Sequence, residues 1–227
     1  MKILVTGGIG NIGLTVSIYL LSRGYDLRII DHIAPKEIEP DIKADIQKAE
    51  YCQVDIRDFQ AVKDTCEGID VIIHLAAIPH PIQGQAPEIF HVNAGGTFNV
   101  FQAAADLGIK RVICASSINY LGNGYGKRWI DVKYFPIDED HPGQATDVYA
   151  FSKQLLEQIA AYFWHRDEIT SACLRFPFVY NPRQFSPDRK DLYLQSNRDS
   201  YAQLMALPKE ERVIHTRKLL DMRLQLR

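Results

Sequence analysis

The sequence predicts an α/β protein built on a doubly wound parallel sheet, and three observations predict it. A β-branched apolar run at the N-terminus passes through a glycine-rich turn into a helix. A second strand follows and ends on an acid. From there, apolar runs of strand length alternate with segments of helical length as far as Phe176, the pattern of a parallel sheet in the order 3-2-1-4-5-6.

Lys2-Ile3-Leu4-Val5-Thr6 is the first strand, apolar, β-branched and too short for helical periodicity. Gly7, Gly8, Gly10 and Gly13 follow it. The spacing Gly7-x-x-Gly10-x-x-Gly13 puts small residues where a strand turns sharply into a helix and where a phosphate approaches the backbone. The helix runs from Asn11 or Ile12 to about Ser22 and stops at Arg23-Gly24. Its N-terminal N–H groups face the glycine turn, an anion site suited to a pyrophosphate. Leu27 to Asp31 is the second strand, and its terminal acid comes eighteen residues after Gly13. Strand, glycine turn, helix and acid in that order are the context of the dinucleotide-binding Rossmann fingerprint. Asp31 would accept hydrogen bonds from the adenosine ribose and repel a 2′-phosphate, which favours NAD over NADP. Arg28 and Lys36 are the cations that would oppose that preference.

His32 to Glu50 is polar, carries two prolines, and reads as a surface loop with at most a short helix. Tyr51 to Asp55 is the third strand, and Asp58 caps a helix running to Cys66. Asp55 and Ile56 stand at that strand's C-terminal end, on the ligand side of a parallel sheet. There Asp55 can accept from an adenine amino group and Ile56 can cover a ring face; a plain loop or capping carboxylate explains Asp55 equally well. Asp70 to Ala77 is a fourth, nearly continuous apolar strand, as expected for burial on both faces. Small Ala76 and Ala77 at its end would let a cofactor backbone pass. His80, in the proline-rich loop Ile78 to Gly84, is an isolated acid–base candidate. Glu88 to Leu107 reads as one long helix whose Gly95 and Gly96 imply close packing on a neighbour.

Arg111 to Ser117 is the fifth strand and ends in Ser116 and Ser117 on the ligand side. The irregular stretch that follows, up to Thr146, is longer than an ordinary connection and reads as an active-site loop. Asp147 caps a helix from about Val148 to His165, and Ala172 to Phe176 is the sixth strand. That last helix carries Tyr149 and Lys153, four residues apart and on one face. A free tyrosine titrates near pH 10, too high for a base at neutrality. A nearby ammonium and a positively charged nicotinamide would stabilise the phenolate, and a strand-end serine would bond the substrate oxygen. Tyr-x-x-x-Lys alone arises often by chance; the glycine turn and the serine pair give it weight.

Composition bounds the function. The 227 residues fit one α/β domain with a small appendage, and a net charge of −2 argues against nonspecific nucleic-acid binding. No apolar run approaches a membrane span, and the chain starts on a strand rather than a leader. Cys52, Cys66, Cys114 and Cys173 form no C-x-x-C pair, which predicts reduced thiols in the cytoplasm, and no metal site is expected. From Arg183 to Arg227 ten Lys/Arg face six Asp/Glu, so this end is basic.

Several motifs occur together and in order: Thr6 to Gly13, Asp31, Asp55-Ile56, His74 to Ala77, Asn93-x-x-Gly96-Thr97, Ser116-Ser117, Tyr149-x-x-x-Lys153 and Leu174 to Pro177. As a set they resemble the extended short-chain dehydrogenase/reductases, specifically the NAD-dependent epimerase/dehydratase family, over about Met1 to Pro182. The resemblance implies Gly7, Gly10, Asn11, Ile12, Asp31, Asp55, Ile56, Leu75, Ala76 and Ala77 around NAD. It implies Asn93, Ser116, Tyr149, Lys153 and Pro177 near the ribose and nicotinamide, with Ser117, Tyr149 and Lys153 catalytic. A dehydratase is disfavoured, because Ser117 is followed by Ile118-Asn119.

Relatives of this type continue into a second, substrate-gripping domain of a hundred or so residues. Here residues 1–178 are expected as the NAD-binding domain and 179–227 as a short remnant or replacement. Gln203–Leu207 and Glu210–Leu226 would be its helices, with Val213, Leu219, Leu220 and Leu224 needing cover. Three functions follow: an oxidoreductase or epimerase of a sugar or nucleotide sugar, a dehydrogenase of a small free sugar or uronic acid, or a non-catalytic NAD sensor or truncated inactive chain. A homodimer through the helices Glu88–Leu107 and Tyr149–His165 is expected.

Overall fold

Strands that bury both faces must supply two apolar surfaces, and alternation along each strand supplies them here. Leu4, Ile30, Ile72, Val112 and Cys114 point to one side, and Ile3, Val5, Leu27, Ile29 and Val71 to the other. The computed structural model describes residues 1–128, 130–177, 179, 199, 202–212 and 214. The strands β1 (Lys2–Thr6), β2 (Asp26–Asp31), β3 (Glu50–Gln53), β4 (Val71–His74), β5 (Arg111–Ser117) and β6 (Thr170–Phe176) form one sheet. All its pairs are parallel, in the order β3-β2-β1-β4-β5-β6, as the sequence predicts.

The first face is covered by α3 (Phe59–Thr65), α5 (Gly96–Asp106) and α6 (Val148–Asp167), through Val62, Phe101 and Phe163. The second is covered by α1 (Asn11–Ser22) and α2 (Pro40–Ile46), through Leu14 and Ile46. Because successive strands run outward in both directions from the β1–β4 pair, the sheet's switch point opens at the C-terminal ends of those two strands. Asp58 and Asp147 cap α3 and α6, accepting from the N–H of Ala61 at 3.1 Å and of Ala150 at 2.8 Å.

The stretch expected as a surface loop with at most a short helix, His32 to Glu50, contains one short helix, α2, after a 3₁₀ turn (Pro35–Glu37). Ile38, Ile42 and Ile46 recur every fourth residue and pack on the α1 side, with Ile38 and Ile46 buried; surrounding charges obscure this stripe in the sequence. The long helix expected over Glu88–Leu107 is a helical run in three parts: α4 (Ala86–Phe90), a π turn (His91–Gly95) and α5. Gly96 does sit in close contact, since a Cβ there would lie 2.6 Å from Ile56 Cγ1, whereas Gly95 has nothing within 4 Å.

Cys66 and Cys114 are buried, Cys52 and Cys173 partly so, and all four are free thiols. Cys114 and Cys173 face one another across β5 and β6. Among the described residues no helix is long and apolar enough to cross a membrane, and no cluster of His, Cys, Asp and Glu could hold a metal.

The chain divides into two compact units, Met1–Phe178 and Val179–Arg227. In the second, residues 202–206 and 209–212 are helical, with Pro208 between them. Arg212 closes that turn by donating to the carbonyls of Leu207 at 2.7 Å and Met205 at 2.8 Å. Val213, Leu219, Leu220 and Leu224 lie outside the described residues.

Candidate active site

The glycine turn is built by close approach. Gly7 has φ +65°, donates its N–H to Ile30 O at 2.8 Å, and passes so near β4's end that a Cβ would lie 2.8 Å from the Ala76 backbone. A Cβ on Gly13 would run into the Gly7 carbonyl. Helix α1 then starts at Asn11 and Ile12 with no side-chain cap and no acid in its first turn, so its positive end is open to an anion. Asp31, only 6 % exposed, flanks the turn: its Oδ2 accepts from the Ile9 N–H at 3.4 Å, and its Oδ1 lies 3.1 Å from His32 Nδ1. Arg28 faces elsewhere, donating to the carbonyls of Thr65 and Glu67 and pairing with Glu50 at 2.8 Å. These groups fit a dinucleotide: a tight turn, an unblocked helix N-terminus and a ribose-side carboxylate.

Asp55 is engaged with Arg57, whose Nε lies 3.0 Å from both carboxylate oxygens, and this guanidinium holds its carboxyl below the usual range. Ile56 is buried with its side chain against Gly96.

Behind the turn lies a buried relay whose hydrogens can be assigned by counting. Thr6 Oγ1 accepts the N–H groups of Leu75 at 3.2 Å and Ala76 at 3.1 Å, so its own hydrogen goes to His74 Nδ1 at 2.7 Å. His74 is therefore the neutral Nε2–H tautomer and donates to Thr97 Oγ1 at 3.0 Å, which in turn donates to Asn93 O. Burial, and then the charge of Lys153, push the His74 pKa down to about 3. Asn93 is expected beside the nicotinamide, yet its amide is already committed. Its Oδ1 accepts from Ile78 N–H at 2.8 Å, and its Nδ2 donates to Ile78 O at 3.0 Å and Ser152 Oγ at 3.1 Å. It holds the loop after β4 against α6.

At the end of β5, alternation sends the two serines apart. Ser116 Oγ donates to Glu157 Oε1 at 2.5 Å, and Glu157 pairs with Arg175 at 2.9 Å, so Ser116 is tied into a structural network rather than facing a cofactor. Ser117 Oγ accepts from Asn119 N–H at 3.1 Å and lies on the side of the buried Tyr149 phenol, whose pKa it acts to lower. Lys153 is buried, donates to Ala115 O at 2.7 Å, and stands 5.6 Å from the Tyr149 ring centroid. Burial lowers its pKa to about 8. Burial raises the Tyr149 pKa, the Ser117 hydroxyl opposes that, and Tyr125 and Asp147 add to the rise.

The Arg175 guanidinium also stacks 3.8 Å over the Tyr120 ring, and Gln154 donates to Tyr120 O at 2.7 Å, which anchors the start of the long loop. His80 packs edge-on against Tyr125 at 4.3 Å and accepts from Ile82 N–H at 3.3 Å, outside the Ser117–Tyr149 pair. Pro177 is exposed just past β6, and Leu75 and Ala77 are partly buried beside the switch point.

The model of the NAD dependent epimerase/dehydratase family matches residues 3–203. The chain belongs to that family. Its cofactor is NAD. The chain is 32% identical over 185 residues to the monkeypox virus 3 beta-hydroxysteroid dehydrogenase/Delta 5-->4-isomerase, covering 78% of this chain and 51% of that protein. It is 30% identical over 189 residues to uronate dehydrogenase of Pseudomonas syringae pv. tomato, covering 82% and 63%. A solved structure, MoeE5 in complex with UDP-glucose and NAD, superposes with a TM-score of 0.66 at 27% identity, covering 83% of this chain and 57% of that one. The chain thus spans about half to two thirds of these relatives, and the two sequence relatives are named as enzymes.

The sequence placed Thr6 and Thr97 within motifs without a role of their own, and it did not single out Ser152 and Glu157. Two of them carried a signal, since Thr97 follows Asn93 by four residues and Glu157 follows Lys153 by four, on the same helical faces.

Proposed function

We propose that this epimerase/dehydratase-family chain is an NAD-dependent oxidoreductase or epimerase of a sugar or nucleotide sugar, with Ser117, Tyr149 and Lys153 as its reacting groups. The observation that carries this reading is the pair Tyr149 and Lys153, both buried on one turn of α6 with the ammonium 5.6 Å from the phenol ring, beside Ser117 at the C-terminal end of β5. The glycine turn, Asn11, Ile12 and Asp31 would hold NAD, which when bound would supply a hydride acceptor or donor. Tyr149 takes the proton of the substrate hydroxyl as that hydride leaves, and Ser117 donates to the same substrate oxygen. Ser117 is suited to this, since Asn119 already fills one of its acceptor positions and its own hydrogen can rotate. Burial keeps Tyr149 protonated in the free protein, so its activation waits on positive charge brought close to it. Lys153 has one N–H on Ala115 O and two more for ribose hydroxyls.

A second reading, a dehydrogenase of a small uronic acid, is favoured by the resemblance to uronate dehydrogenase. In either case residues 1–178 serve as the NAD-binding domain. Screening NAD reduction against free sugars, uronic acids and nucleotide sugars tests both. Protection from thermal unfolding by UDP alone supports the nucleotide-sugar reading, and protection by NAD but not UDP supports the small substrate. No turnover on any class, with NAD bound, would leave the sensor reading.

We also infer a homodimer. Phe151 (45 % exposed) stacks on Phe90, and Tyr162 (47 %) stacks on Phe98, giving α4, α5 and α6 a shared aromatic face. A monomer in sedimentation analysis would remove that claim. Free thiols on β3, β5 and β6 fit a reducing compartment such as the cytoplasm.

A further inference from the structure

Strands β5 and β6 run parallel, and one position of their ladder is occupied by two cysteines. Cys114 is in register with Cys173, and both side chains turn to the face covered by α6. Cys114 is fully buried, whereas Cys173, on the outer strand of the described sheet, is only partly so. We propose that this pair is a redox-modification site: hydrogen peroxide converts Cys114 and Cys173 into a reversible disulfide that disturbs the seat of Lys153. The effect on the site rests on the dinucleotide reading above; the bond itself does not.

Geometry, reactivity and access each support the bond. Paired strands stand about 4.8 Å apart, inside the Cα separation of about 4.4–6.8 Å that a disulfide spans. A thiolate is the nucleophile towards a peroxide, and the two sulfurs divide the roles. The Cys114 thiol holds Cys173 below its ordinary range, against the effect of burial; Cys173, and then burial, push Cys114 well above. Arg175 and Lys153 add positive charge near Cys173, and Glu157, paired with Arg175 at 2.9 Å, opposes them. Cys173 is also the less buried of the two. Its sulfur attacks the peroxide O–O bond, forming a sulfenic acid and releasing one water. The Cys114 sulfur then attacks that sulfenic sulfur: S–S forms, S–O breaks, and the hydroxyl leaves with the Cys114 proton as a second water. Two thiols are oxidised to one disulfide, and one peroxide is reduced to two waters.

The bond forms one residue from the candidate site. Cys114 precedes Ala115, whose carbonyl accepts the Lys153 ammonium at 2.7 Å, and Ser117 ends the same strand. Both sulfurs also act on Lys153 electrostatically. A disulfide holds its Cβ atoms about 3.8 Å apart, closer than the ladder spacing, so closing it shifts β5 against β6 here. The Ala115 carbonyl moves with the strand and displaces the ammonium it holds. The remaining thiols stand apart: Cys66 ends α3, and Cys52 lies on β3 at the opposite edge of the sheet.

The test treats the reduced full chain with hydrogen peroxide and maps its cysteines by peptide mass. In the native protein the peptides carrying Cys114 and Cys173 should join with loss of about 2 Da, the two thiol hydrogens, and dithiothreitol should restore both thiols. In Cys114→Ala, which lacks the second thiol, Cys173 should run on to sulfinic acid, and in Cys173→Ala, Cys114 should stay reduced. The linked native protein should bind NAD⁺ at least about threefold more weakly by fluorescence quenching, and peroxide-treated Cys173→Ala should not. No link in the native protein, a link through Cys52 or Cys66, or sulfinic acid on Cys173 in place of the link overturns the proposal. Unchanged NAD⁺ affinity in the fully linked protein overturns its effect on Lys153. Failure of the reduced protein to bind NAD⁺ would instead remove the dinucleotide reading, and the peptide map alone would then decide the thiol site.

Discussion

Thr6 Oγ1 lies 2.7 Å from His74 Nδ1, and the hydrogen between them belongs to the threonine, because that oxygen already accepts two backbone N–H groups. The last residues of β1 and β4 are thereby locked at the switch point beneath the glycine turn. A protonated His74 has no acceptor for a hydrogen on Nδ1, so charging it breaks the lock.

Acid should therefore unfold this protein through His74. Its folded pKa, about 3, lies below the ordinary 6.5. Between those values the unfolded chain binds a proton that the native chain refuses, so stability falls as pH drops through that window. The loss is at most about 5 kcal/mol. Urea midpoints from about pH 7 to about pH 4 should fall more steeply for the native protein than for His74→Asn. Parallel slopes would contradict this. Thr6→Val should cost about 1–3 kcal/mol per buried group left unpaired.

Tyr149→Phe should lower kcat by at least about 10²-fold on a confirmed substrate while NAD binding changes little, because the hydroxyl acts in the chemical step. Single-turnover kinetics with parallel NAD titration separate the two. Wild-type turnover in that variant would move attention to His80.

Lys153 gives a stability readout independent of substrate. Its folded pKa, about 8, sits below 10.5, so between those values the unfolded chain holds more protons and stability rises with pH. The native protein should therefore gain on Lys153→Met as pH goes from about 8 to about 10, by up to about 3 kcal/mol. The measurement is the difference in denaturant midpoint between the two proteins; a constant difference would refute burial of a charge at this position.

The sheet order and the glycine–acid fingerprint were legible in the sequence because both depend on local patterns: apolar runs of length four to seven, and fixed spacings around Gly7, Gly13 and Asp31. The α2 segment was not, since Ile38, Ile42 and Ile46 are diluted by charge and gain meaning only against α1. Within the candidate site, Tyr149, Lys153 and Ser117 come together, but Ser116 and Asn93 are held by Glu157 and Ile78. The motif resemblance named Ser117 as the catalytic serine, but that Ser116 is tied to Glu157 depends on pleat and on what lies across it, and motif matching does not see either. The raised Tyr149 pKa is a matter of burial, equally hidden from spacing.

Adjacent glycines give a paired test. Gly95→Ala meets open space at a helical position and should stabilise the protein by about 0.5–1 kcal/mol. Gly96→Ala drives a methyl into Ile56, a stiff β-branched neighbour, and should cost about 1–3 kcal/mol. Thermal melts of both variants check the contrast, and equal effects would mean that α5 shifts freely off Ile56.

Cys114, in register with Cys173 and sealed under the first helical face, gives the protein a built-in clock. An alkylating reagent reaches that sulfur only when β5 parts from its cover, whereas part-exposed Cys52 on the opposite edge needs no such event. The two labelling rates, resolved by peptide mass, would time the breathing of each half of the sheet in the unmodified chain. Since NAD would span the crevice between the halves, its addition should slow the Cys114 clock more than the Cys52 one.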